Sequence, residues 1–238
     1  MPRVVSPGIP FHVTQRGNRR GSVFFSDYDR EWYLSTLAIY CRRHSIAVLA
    51  YCLMTNHVHL VLVPGTVNSL HEALRPLHMR HAQRINRLQS WSGHVWQGRY
   101  FASALDERYM WAAIRYVELN PVSAGLSRRA EDYRWSSAAA HCQLRNDPVL
   151  TTAPQWTELL SQVRDWRAWL EQGEDPEEQF VLQRNTVKGL PCGSEEFIGA
   201  LESITGHSLQ HRSRGRPRKS TAESGQTRSQ VKKGCVPF

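Results

Sequence analysis

"TNHVHLVLVP", Thr55 to Pro64, is the stretch on which the reading of this chain turns. After the polar pair Thr55–Asn56, the run has the branched apolar residues of a buried β-strand, interrupted by two histidines. Residues i and i+2 of a strand project from one face. His57 and His59 therefore stand side by side, and Val58 and Leu60 occupy other positions of the pleat. Two parallel imidazoles suit a divalent cation, provided a third ligand and a reactive group come from elsewhere in the fold. Two hydrogen-bonded sheet histidines explain the same pattern, since two ligands do not make a site.

The neighbouring segments read outward from this strand. "AVLAYCLM" (Ala47–Met54) is a second strand, joined to the first by the short "TN" in a tight, hairpin-like connection. "PFHVTQRG" alternates apolar and polar residues and predicts a strand near residues 11–16. Acidic residues lead and basic residues close "SDYDREWYLSTLAIYCRRHSI", which predicts a helix over about 28–44. "NSLHEALRPLHMRHAQRINRLQ" is helical in composition, with a kink or break expected at Pro76. "HVWQGRYFASAL" reads as a fourth strand. "DERYMWAAIRYVELNP" reads as a helix capped by Asp106 and ended by Pro121. Beyond Trp135 the patterns are short and helical. From His211 the chain is rich in Arg, Lys, Ser and Gly, the composition of a segment disordered when unbound.

Composition bounds the function. With 238 residues and 41% hydrophobic content, the chain can bury one core of ordinary domain length and carry an extension. A net charge of +9 favours polyanion partners, nucleic acid before anionic membrane. No window approaches the ~18 apolar residues of a membrane span. The N-terminus "MPRVVSPGIPFHV" has no apolar core of a signal peptide. The five cysteines are odd in number and include no C-x-x-C pair, which argues against a zinc ribbon or disulfide scaffold and fits a reducing cytoplasm.

The second informative stretch is "RYVELNPVSAGL". Tyr116 and Asn120 are four residues apart and share a helix face. Packed across the sheet face of His57 and His59, that helix would add an amide oxygen ligand from Asn120 and a phenol from Tyr116. A divalent cation beside the phenol favours the phenolate and polarises a bound phosphate. Attack would then give a covalent phosphotyrosine. A boundary tyrosine and an asparagine C-cap account for the same residues.

"TNHVHLVLVP", "WQGRYF" and "RYVELNPVSAGL" together resemble the single-tyrosine HUH transposases, and more closely the REP-associated tyrosine transposases of bacteria. "FHVTQRGN" and "YRWSS" extend the resemblance over roughly residues 5–140. It implies an α+β fold in which helices pack on an antiparallel, ferredoxin-like or RRM-like sheet. It implies His57 and His59 as metal ligands, Asn120 as the third, Tyr116 as nucleophile, and Mg²⁺ or Mn²⁺ as cofactor. The implied substrate is single-stranded DNA bearing an imperfect hairpin, cleaved to a 5′-phosphotyrosine and a free 3′-OH. The implied domain order is catalytic (1–140), helical extension (141–210) and basic DNA-binding tail (211–238). A bacterial cytoplasmic, nucleoid-associated location follows, with monomer and homodimer both open.

DNA contacts are expected from Arg16, Arg19 and Arg20 in the first strand and loop, and from the helical stripe Arg80, Arg84 and Arg87. Gln97 and Arg99 belong to the "WQGR" stretch. In the tail, "RGRPRK", with Arg214, Arg216, Arg218 and Lys219, resembles an AT-hook for the narrow minor groove of A·T-rich duplex. A non-catalytic hairpin-binding protein on the same fold is the alternative reading. A zinc hydrolase lacks an acidic ligand and general base in a fitting motif.

Overall fold

A computed structural model describes residues 5–209. Its centre is a four-stranded antiparallel sheet in the order β2-β3-β1-β4. The strands are β1 (Phe11–Arg16), β2 (Ile46–Leu53), β3 (His57–Pro64) and β4 (Phe101–Ala104). The predicted strand order and the short β2–β3 connection through Thr55 and Asn56 are both present.

Alternation along the strands sorts the core into two layers. Phe11, Val13, Val58, Leu60 and Leu62 pack with Tyr33 and Leu37 of α1 (Asp27–Arg43) and with Leu70, Leu74 and Leu77 of α2 (Ser69–Gln89). The opposite layer joins Leu49, Val61 and Val63 to Met110, Ala113, Ile114 and Val117 of α3 (Glu107–Ser123). His57 and His59 share the parity of Val61 and belong to this second layer.

The remaining helices are α4 (Ala138–His141), α5 (Pro154–Leu160), α6 (Trp166–Glu171), α7 (Pro176–Lys188) and α8 (Glu195–Thr205). Trp166 and Leu170 of α6 and Leu182 of α7 are buried in the second layer. α7 also lies against β4, α3 and β1. α6 and α7 thus cover the same sheet face as the tyrosine helix, whereas Leu201 of α8 packs in the first layer.

Two proline expectations, a break at Pro76 and a stop at Pro121, are corrected. α2 runs through Pro76 as one element. The missing backbone donor costs one hydrogen bond, and the buried Leu70–Leu74–Leu77 stripe holds the helix on both sides of it. α3 continues past Pro121 to Ser123 and closes where Gly125 adopts φ +68°, with the Leu126 amide donating to the Pro121 carbonyl at 2.8 Å. The N-cap expected at Asp106 is formed, whereas Asn68 starts α2 without a side-chain cap. The Asp106 carboxylate accepts from the Tyr109 amide at 2.8 Å, and Ser194 caps α8.

Candidate active site

β1 and β3 are neighbours, with Thr14 opposite His59 and Arg16 opposite His57. Cross-strand partners share a face, so His12, Thr14, Arg16, His57 and His59 all project toward α3. The His57 and His59 rings lie 4.8 Å apart, and the Tyr116 ring meets His59 edge-on at 5.3 Å. The helix thus brings its tyrosine to the histidine pair.

Asn120 follows one turn later. Its amide nitrogen donates to the Tyr116 carbonyl at 3.3 Å, and its side chain lies close enough to raise the His57 pKa and lower that of the Tyr116 phenol. Burial pushes the Tyr116 pKa up, and hydrogen bonds from Asn120 and Gln183 oppose that shift, as does the charge of Arg16. The phenol is therefore protonated at neutral pH, and ionising it requires an added positive charge.

Burial holds both ring pairs neutral. It lowers His57 to about 4, with help from the Arg16 charge, and lowers His59 well below its ordinary value. The Nδ1 atoms of both are occupied. His57 Nδ1 lies 2.6 Å from Asn56 Oδ1, and Asn56 donates its own amide to the Arg20 carbonyl at 2.8 Å. His57 Nδ1 must therefore carry the proton, which frees Nε2 as a lone pair. His59 Nδ1 lies 3.0 Å from His12 Nε2.

This donor set fits a divalent cation that accepts two imidazoles and one amide oxygen. Among the described residues no three His, Cys, Asp or Glu side chains converge as a metal cluster. The Asn120 amide is thus needed to complete the set, and the remaining positions are open to phosphate oxygens and water.

The other predicted contacts are dispersed. Arg16 adjoins the centre and acts electrostatically on His57, His59 and Tyr116. Arg19 and Arg20 are exposed on a short 3₁₀ turn, both at positive φ, and the Arg20 carbonyl supports Asn56. Gln97 and Arg99 line a cleft of about 410 Å³ with Phe101, Thr186 and Lys188, between the β4 edge and α7. The α2 stripe lies behind the sheet. Arg80 and Arg87 are exposed there, but Arg84 pairs with buried Asp29 at 3.1 Å. Arg214, Arg216, Arg218 and Lys219 lie outside the described residues.

Sequence reasoning missed His12, Asn56, Gln183 and Thr186. His12 sits on the face of His57 and His59 because it alternates with Phe11 and Val13, a signal present in "FHVTQRG" once the β1–β3 register is known. Gln183 and Thr186 come from α7, where nothing in the local pattern marks them. Gln183 reaches the Tyr116 hydroxyl at 3.5 Å, and Thr186 Oγ1 lies 2.8 Å from His12 Nδ1.

The fold is thus an antiparallel α/β sheet that presents paired histidines to a tyrosine-bearing helix. Residues 6–120 match the family model described as "Transposase IS200 like", so this segment is similar to the transposases of that family. A solved structure of a REP-associated tyrosine transposase bound to a REP hairpin is similar in fold, at a TM-score of 0.52 and 16% identity. The likeness covers 64% of this chain and 90% of that one. A structure described as a transposase from Deinococcus radiodurans aligns at a TM-score of 0.36 and 14% identity, over 53% of this chain and 96% of that one. No curated protein matches the chain significantly.

Proposed function

We propose that the protein cleaves and rejoins single-stranded DNA at hairpin-bearing, REP-like sequences through a 5′-phosphotyrosine on Tyr116. The observation that carries this reading is the approach of the Tyr116 ring to within 5.3 Å of the His59 ring, with His57 and Asn120 beside it. Structural histidines alone give no reason for a half-buried phenol and an amide to converge on them.

His57 Nε2, His59 and the Asn120 oxygen would hold Mg²⁺ or Mn²⁺. Such an ion supplies charge neutralisation at the scissile phosphate and favours the phenolate. The chain's own residues do the rest. Gln183 and Asn120 orient the phenol by hydrogen bonds, and Arg16 adds fixed positive charge beside it. Phosphoryl transfer of this kind needs in-line positioning more than proton traffic. The Tyr116 oxygen attacks phosphorus as the 3′ oxygen leaves, so the bond energy is kept for rejoining. A hairpin as the recognised form of DNA is supported by the fold neighbour, which holds a REP hairpin. The cleft with Gln97 and Arg99 offers polar and basic groups to the strand.

The test uses a hairpin oligonucleotide labelled at either end, with Mn²⁺. The expected products are a protein adduct that carries the 3′-end label, from the fragment on the 3′ side of the break, and a 5′-labelled fragment that ends in a free 3′-OH. A free 5′-phosphate with no adduct contradicts the reading.

A further inference from the structure

The metal-facing side of His59 is prepared by groups that lie behind it. His12 is buried, its ring parallel to that of His59 within 1°, with centroids 5.3 Å apart and facing nitrogens 3.0 Å apart. This is the arrangement of two imidazoles joined nitrogen to nitrogen within one plane. On its far side, His12 Nδ1 meets Thr186 Oγ1 at 2.8 Å. Thr186 is also buried, and its hydroxyl donates to the Leu182 carbonyl one helical turn back, at 2.7 Å.

Proton counting fixes every role in this row. A threonine hydroxyl has one proton. Given to Leu182, that proton leaves Oγ1 as an acceptor, so His12 Nδ1 must be the donor. A neutral imidazole carries one ring N–H, so His12 Nε2 has a lone pair. His59 Nδ1 must then donate to it, and the lone pair of His59 falls on Nε2.

We propose that Thr186 and His12 are positioning residues that fix His59 as its Nδ1–H tautomer, so that Nε2 is held ready for a divalent cation. His57 reaches the same tautomer by a different route, through Asn56 and the Arg20 carbonyl. The two ligands are thus set from opposite ends of the site. One support belongs to the 18–20 turn and the other to α7, which lies outside the family-matched segment of residues 6–120. Partners of this kind fix ring orientation and ligand basicity, and losing one lowers metal affinity about 10–100-fold. The metal part rests on the reading of His59 as a ligand. The tautomer part does not.

The experiment is a long-range ¹⁵N–¹H spectrum of the full-length, metal-free, histidine-labelled protein, paired with a Mn²⁺ titration. In the wild type, His59 Nδ1 and His12 Nδ1 carry the protons. A wild-type spectrum with the proton on His59 Nε2 overturns the proposal without any variant. Thr186→Val removes the acceptor at nearly constant volume. It should move the His12 proton off Nδ1, mix the His59 tautomers and weaken Mn²⁺ binding about 10–100-fold. Thr186→Ser restores the hydroxyl and should restore both readouts. A Thr186→Val protein with unchanged tautomers and affinity refutes the relay. Correct tautomers with no DNA adduct sink the proposed function and leave the relay standing.

Discussion

Glu118 is the buried anchor of the tyrosine helix, and its removal is the most informative stability perturbation. The residue is fully buried two positions from Tyr116. Its Oε1 accepts from Ser137 Oγ at 2.5 Å and from His141 Nδ1 at 2.6 Å, and its Oε2 accepts from Trp166 Nε1 at 2.7 Å. Three donors from the segments around α4 and α6 thus converge on one carboxylate. Glu118→Ala leaves His141 Nδ1 and Trp166 Nε1 without an acceptor, and Ser137 Oγ with only the Tyr51 carbonyl at 3.4 Å. Each such orphan costs about 1–3 kcal/mol, which sets a floor near 2 kcal/mol. Removing one side of a buried polar pair typically costs about 3–5 kcal/mol. We expect urea unfolding to lose about 3–5 kcal/mol, a large share of the ~5–15 kcal/mol available to a domain. The denaturant slope should be unchanged. Ser137→Ala removes one donor and leaves Glu118 with two, so its loss should be nearer 1 kcal/mol. A Glu118→Ala protein within 1 kcal/mol of wild type would refute the reasoning, since the donors would then have found other partners.

Other predictions follow from single residues. His81 is buried with both ring nitrogens unpartnered, and burial lowers its pKa to about 3. The unfolded chain binds its proton near pH 6.5 and the folded protein does not. Stability from this group is therefore full above pH 6.5 and is lost as pH falls toward 3, by about 1.4 kcal/mol per unit. His81→Leu should flatten the loss between pH 6.5 and 5 by about 2 kcal/mol in denaturant titrations; an unaltered slope contradicts this. A Cβ on Gly17 would overlap the Gly21 carbonyl and lie 2.8 Å from Val23 Cγ1. Gly17→Ala should cost about 1–3 kcal/mol by thermal unfolding, because backbone must move. Asn56→Ala removes the acceptor of His57 Nδ1 and should weaken Mn²⁺ binding about 10-fold or more by calorimetry. Adduct formation should be at least as fast in Mn²⁺ as in Mg²⁺, since imidazole is a poor partner for hard Mg²⁺, and faster reaction in Mg²⁺ counts against the ligand set.

Much of the candidate site's geometry was legible because it rests on two short periodicities. Period two put His57 beside His59, and the four-residue helix spacing put Asn120 one turn from Tyr116. The same periodicities located β1 to β4 and the two long helices. His12 was not legible as a site residue, because its partner depends on the β1–β3 register, which no local pattern states. Thr186 and Gln183 were invisible for a stronger reason. They reach the site only because α7 folds back over β4 and α3, a long-range contact that burial of Leu182 drives. The prolines misled in the other direction. Local chemistry asked for a break at Pro76 and a stop at Pro121, and tertiary packing overrode both. The basic stripe of α2 was real as a stripe, yet Arg84 is bound to Asp29, whose carboxylate also accepts from the Phe25 and Ser26 amides.

The central claim is that Tyr116 becomes joined to DNA. The most direct measurement is mass spectrometry of the trypsin-digested adduct formed with a hairpin oligonucleotide in Mn²⁺. Cleavage after Arg115 and Arg128 releases a peptide that begins at Tyr116. The account predicts a nucleotide on that residue, and no adduct from Tyr116→Phe. A nucleotide on any other residue, or an undiminished adduct in Tyr116→Phe, contradicts it.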